Sequence, residues 1–153
     1  MILEEAGVGE DKINPVNFSA DTVLFEDYKT ASTYSLKEQR KIIREWAKSN
    51  LAGRSVYISD LKMTINFTYS GIKEAVNQPH KYILEKNQLI KSIESILPSA
   101  TYIKSEGDKT GDLNFIYHYL RIMINDEESF IVLKVIKKEG KIIFYSIVDK
   151  IKK

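Results

Sequence analysis

Cysteine is absent from this chain of 153 residues. That removes disulfides and thiolate chemistry, and it makes a reducing, cytoplasmic compartment the natural expectation. There are only two histidines, so without cysteine a zinc site is a poor reading. No carboxylate cluster suggests another metal, so the expected metal and cofactor complement is none. Glycines number seven, too few to suggest a nucleotide-cradling loop, and no P-loop, GxGxxG or GxSxG pattern occurs. No apolar run approaches the roughly 18 residues a membrane span requires, so no membrane partner is expected. The opening residues MILEEAGVGEDK are acidic, unlike the basic and then apolar start of a signal peptide. Net charge is only +2, so a claim of polyanion binding must rest on distribution rather than on the total.

The distribution is uneven. Residues 1–30 carry seven acidic side chains against two lysines, residues 35–54 six basic against two acidic, and residues 129–153 seven lysines against two acids. Two basic segments of this kind concentrate polyanions, or else serve as solvated faces and edge protection. The length fits one domain. Residues 1–34 show no sustained period and read as an acidic leader or linker, with a short strand inside VNFSADTVLFEDY. Residues 35–153 read as a single α+β domain.

Within that domain, Ser35-Leu-Lys-Glu38 fits a capping box opening a helix that stops near Gly53. Leu36, Ile43, Trp46, Ala47 and Leu51 share its apolar face. Ser55 to Phe67 reads as a small hairpin, alternating at Val56 and Ile58, turning at Asp60–Lys62 and alternating again at Met63, Ile65 and Phe67. YSGIKEAVN, from Tyr69 to Asn77, is a short helix, and Pro79 then suits a second one through about Leu97. The remainder reads as a four-stranded antiparallel meander on which the helices pack. Its strands are Thr101–Lys104, Leu113–Asn125, Phe130–Lys137 and Ile142–Val148. The second is the longest apolar and aromatic run in the chain. With a period of two it splits into a core face (Ile116, His118, Leu120, Ile122, Ile124) and a face carrying Phe115, Tyr117, Tyr119, Arg121 and Met123.

Chemistry is expected on the second face. Arg121 can hold a phosphate through paired N–H bonds, and Lys134 on the next strand sits among apolar neighbours where a charge asks for a partner. Tyr119 and Tyr145 can stack on bases or donate a proton. His80 and His118 are the two groups able to act as acid or base near neutral pH, and Lys73 can neutralise a phosphorane. For Arg121, Lys134 and His118 the bland alternatives are sheet-face cations reaching water and a buried, hydrogen-bonded imidazole.

The segments FTYSGIKEAV, ESILPSATYIKSEGDK and IYHYLRIMINDEESFIVLKVIKKEGKIIFYSI resemble domains of phage and conjugative-element polyvalent proteins that are grouped with barnase, EndoU, colicin and RelE-like nucleases. The resemblance covers Ser55 to Val148. Its Gly-Ile-Lys stretch falls on Gly71, Ile72 and Lys73, its aromatic central strand on Tyr117 to Arg121, and its closing tyrosine on Tyr145. The histidine that often follows the lysine is Glu74 here, which leaves the acid–base role to His80 or His118. The resemblance implies a RelE/barnase-like fold and a metal-independent, toxin-like endoribonuclease acting on RNA, restrained by a neutralising protein or by neighbouring domains of a parent polyprotein. The alternative is a non-catalytic module binding protein or nucleic acid through the same face.

Overall fold

The computed structural model describes residues 17–18 and 35–151. The expectation of an acidic leader over residues 1–34 therefore lies outside the described residues, apart from a two-residue strand, β1 (Asn17–Phe18), within the segment where a strand was expected. The architecture is α+β, as the sequence suggests. The sheet is not the four-stranded antiparallel meander. It is mixed, with strand order β1-β5-β6-β7-β3-β2 and β4 also pairing β5. Here β2 is Ser55–Ile58, β3 Met63–Asn66, β4 Thr101–Gly107, β5 Phe115–Ile124, β6 Glu127–Ile136 and β7 Lys141–Val148. Strands β4 to β7 pair antiparallel in order, but β7 goes on to pair parallel with β3, and β1 runs parallel to β5. Both parallel pairings join segments distant in sequence, so neither leaves a local turn signal.

The helices follow their signals closely at the first and loosely at the last. Helix α1 (Leu36–Asn50) begins with the full reciprocal capping box between Ser35 and Glu38. Its buried line is Gln39, Ile43 and Ala47, with Trp46 partly buried beside it. Leu36, expected on the apolar face, is 39% exposed because it precedes the first turn that meets the core. The second expected helix is broken. Helix α3 (Ile83–Leu89) passes through a 3₁₀ turn at Ile90–Ser92, a short α4 (Ile93–Ile96) and another 3₁₀ turn at Leu97–Ser99. Ile90, Ile93 and Ile96 recur every three residues and all are buried. A tighter winding of three residues per turn keeps all three facing inward.

The helices cover one face of the sheet. Ile43, Ile72, Ile93, Leu120, Leu133 and Phe144 belong to one core cluster that joins helices to strands among the described residues. Helix α2 (Tyr69–Asn77) is capped by Thr68, whose hydroxyl accepts from Gly71 N–H at 3.1 Å, and packs on β7. It lies so close that a Cβ at Gly71 would stand 2.1 Å from the Phe144 carbonyl oxygen. The hairpin from β5 to β6 turns on Asn125 and Asp126, at φ of 50° and 64°. Two consecutive left-handed residues make a turn whose twist matches the strands, so β6 starts at Glu127, three residues earlier than expected.

Lys86 of α3 is fully buried. Its ammonium donates to the carbonyls of Ala75 at 2.6 Å and Val76 at 3.2 Å, tying off the end of α2. Burial lowers its pKa from 10.5 to about 7, with the Arg40 charge adding to the effect.

Two outcomes are expected. Gly→Ala inside a helix ordinarily stabilises by about 1 kcal/mol, but Gly71→Ala should destabilise by roughly 1–3 kcal/mol through overpacking, measured by denaturant unfolding. The unfolded chain holds a proton on Lys86 that the folded chain releases between about pH 7 and 10.5. Stability should therefore rise with pH through that window, and in Lys86→Met the slope should flatten. Parallel slopes in the two proteins would show that the lysine is not buried as described.

Candidate functional site

The face of the sheet opposite the helices is built from β5, β6 and β7 around one irregularity. Val132 pairs with Ser146 and Leu133 with Phe144, leaving Tyr145 as an extra residue in β7. Strict alternation from the buried Ile147 would send Tyr145 into the core. The bulge instead puts Phe144 there, 5.9 Å from the ring of Phe67, and turns Tyr145 to the open face, 5.7 Å from the ring of Tyr117.

A cleft of about 530 Å³ opens on this face. Tyr117, Tyr119, Val132, Tyr145 and Ser146 form its floor. Three separate segments wall it: Gln78–His80 at the joint between α2 and α3, Glu106–Lys109 at the end of β4 and start of the next loop, and Asp149–Ile151 after β7. The expected platform is thus accessible.

The polar groups around the floor are mostly carboxylates. Tyr117 donates its hydroxyl to Asp108 at 3.2 Å, and Tyr119 donates to Glu106. Burial, with these carboxylates adding to it, pushes both phenols up to about 12, so they stay neutral donors. Hydrogen bonds from Lys104 to Glu106 and from Thr110 to Asp108 hold both carboxyls below their usual range and ionised. Asp149 accepts the Lys81 N–H at 2.9 Å. The described lining residues include three carboxylates, Glu106, Asp108 and Asp149, against two lysines, Lys109 and Lys150, so the hollow is not the positive one a phosphate would need.

Of the residues singled out from sequence, His80, Tyr119 and Tyr145 line the cleft. His80 is committed elsewhere. Its Nδ1 accepts the Tyr82 N–H at 2.8 Å, so Nε2 carries the proton and donates to Ser129 Oγ at 2.9 Å. Burial lowers its pKa, which keeps the ring neutral at pH 7. Lys134 borders the floor. Its ammonium lies 4.1 Å from the ring centre of Phe115, 4.9 Å from that of Tyr145 and 5.9 Å from that of Tyr117. The partner that a cation among apolar neighbours asks for is therefore an aromatic cage.

The other cations do not join it. Lys134 pairs across the strands with Tyr117 and Arg121 with Phe130, four residues along β5, a separation of roughly 13 Å. Arg121 instead meets Glu128 at 3.4 Å. Lys73 is exposed on α2 with its ammonium 5.5 Å from the Tyr69 ring. His118 has the parity of the covered face, lies half-buried near the β4 edge, and places Nδ1 2.6 Å from Ser105 Oγ, which is in turn 2.5 Å from the Tyr102 hydroxyl. Burial lowers its pKa too. Neither Lys73, Arg121 nor His118 lines the cleft. No group of three or more metal-ligating side chains occurs among the described residues.

Sequence reasoning placed Tyr117 on this face without giving it a role, and passed over Ser146 and the three carboxylates. Two of the carboxylates, Glu106 and Asp108, stand in the run SEGDK between the first two strands expected of the meander.

With this geometry in view, the family model for the large polyvalent protein-associated domain 3 matches residues 34–145. The chain belongs to that family. The expected kinship with polyvalent-protein domains holds, and a place within a larger protein follows from it, whereas the match carries no nuclease identity. No curated protein and no solved structure matches. In this polyvalent protein-associated domain the Gly-Ile-Lys stretch has a clear structural part: Gly71 permits the approach to β7, Ile72 is buried and Lys73 is exposed. No helix among the described residues is long and apolar enough to cross a membrane.

Replacing Lys134 with Gln removes the caged charge and should cost roughly 0.5–1 kcal/mol of stability. The near-ultraviolet circular dichroism of the tyrosines should change with it. An unchanged spectrum would place the ammonium outside the cage.

Proposed function

We propose that this domain is a binding module of a larger mobile-element protein, working through the tyrosine-floored cleft rather than through bond cleavage. One observation carries the reading: the cleft gathers aromatic rings and ionised carboxylates, while the cations that would hold a scissile phosphate, Lys73, Arg121 and Lys134, lie outside it. A cavity of this size with an apolar floor and a few fixed polar groups is the usual form of a ligand site. His80, with both ring nitrogens engaged, is poorly placed to exchange a proton.

A second reading, the metal-independent endoribonuclease-like domain, draws on the presence of His80, Tyr119 and Tyr145 around one cleft. It would need Lys109 or Lys150 to take the phosphate, a rearranged His80 as acid or base, RNA as substrate and a neutralising partner. Fold-level likeness to nucleases does not by itself supply activity.

Purified protein incubated with labelled RNA in EDTA is expected to leave the RNA intact, with or without Arg121→Ala. Products ending in 2′,3′-cyclic phosphate, lost in His80→Ala, would reverse the order of the two readings.

A further inference from the structure

The floor of the cleft already shows what it tolerates. Phe115, Tyr117 and Tyr145 surround one ammonium, that of Lys134, at the edge of the open face. Beyond it, Tyr119 and Tyr145 both line the cleft. Tyr117 and Tyr119 donate their hydroxyls to carboxylates, which leaves the rings electron-rich and the carboxylates anchored beside them. An aromatic face with a nearby fixed anion is the usual receptor for an organic cation.

Ser146 adds a separate sign. It is 3% exposed, it lies on the cleft floor, and its Oγ has no hydrogen-bond partner. A buried hydroxyl without a partner is costly, and a ligand offering N–H donors would satisfy it. Neutral His80 adds no positive charge to the wall, and Lys109 and Lys150 sit exposed at the rim, where solvent and salt weaken their fields. Lys104 is paired with Glu106, and Lys134 is held in its aromatic cage, so Asp108 and Asp149 are the carboxylates left to meet a cation. Phosphate oxygens, by contrast, would meet Glu106, Asp108 and Asp149.

We infer that the cleft receives a lysine or arginine side chain presented by an extended basic segment of a partner protein. This rests on the reading of the cleft as a binding site and names its ligand. The aliphatic stem would lie on Tyr119, Val132 and Val148. The cationic head would face the carboxylates of Asp108 and Asp149 and reach Ser146 Oγ.

The test uses fluorescence anisotropy with a labelled glycine–serine peptide carrying three arginines, the same peptide with citrulline at those positions, and a labelled oligo(U). The arginine peptide should bind at least tenfold more tightly than the citrulline peptide, weaken as salt rises, and shift the amide resonances of Tyr119, Tyr145 and Ser146. The combined Glu106→Gln, Asp108→Asn and Asp149→Asn variant keeps the acceptors while removing the charge, and should lose at least tenfold in affinity. Should that variant fail to fold, the citrulline comparison on the unmodified protein still decides. Equal binding of the two peptides overturns the inference. Oligo(U) shifting the same amides in place of the arginine peptide also overturns it, while leaving the cleft a binding site. RNA cleavage would instead strike the non-catalytic reading.

Discussion

Between the pairs Val132–Ser146 and Leu133–Phe144, β7 holds one more residue than β6, and that residue is Tyr145. A strand in strict register would have to choose between a full core and an aromatic open face. The bulge delivers both, since Phe144 fills the core against Phe67 while Tyr145 joins Tyr117 and the cage around Lys134. It also leaves Ser146 pointing to the same side as Tyr145, which strict alternation forbids. The cleft floor depends on this one departure. The close approach of Gly71 to the Phe144 carbonyl locks α2 against the same stretch of strand.

The two faces of the sheet separate by charge as well as by cover. The helix-covered side is mostly apolar; Gln39, Lys86, Asn87 and Gln88 of the helices are buried polar residues there, and Lys86 has two carbonyls to receive it. The open side carries alternating tyrosines and charged groups, yet its cations are dispersed rather than focused. Arg121 faces Glu128 and Lys104 faces Glu106. These half-exposed pairs contribute little to stability, but each spends a positive charge on a carboxylate instead of leaving it for a phosphate. A net charge of +2 in the sequence therefore says nothing about the sign of the field in the cleft.

Much of this was legible beforehand, and the reasons are local. The Ser35–Glu38 box lies within a few residues of what it controls and appears as expected, and the period-two split of β5 appears over Leu120 to Ile124, where every second residue is buried. The parallel joins of β1 to β5 and β3 to β7 were not legible, because no local pattern encodes a pairing between segments so far apart. The 3₁₀ winding at Ile90–Ser92 was hidden for another reason: a spacing of three looks helical until burial of every third residue is known. At the site, Tyr119 and Tyr145 were found through their strands. Glu106, Asp108 and Asp149 were missed because turn residues and strand ends carry no period, and their meeting around the tyrosines is a product of tertiary structure.

The wall at Gln78–His80 connects the buried lysine to the cleft. Lys86 holds the last carbonyls of α2, and two residues later the chain enters the wall. There His80 is fixed from both sides, by the Tyr82 N–H on one nitrogen and Ser129 of β6 on the other. Lys81 and Tyr82 both reach Glu127 of the same strand. The joint between α2 and α3 is thus fastened to the sheet, and the cleft is held open before any ligand arrives. Such preorganisation lowers the ordering cost of binding. It also limits His80: an imidazole serving as a structural rivet must give up one of its two hydrogen bonds before it can move a proton. The interactions that make this wall a firm one are the same interactions that argue against catalysis by the residue most suited to it.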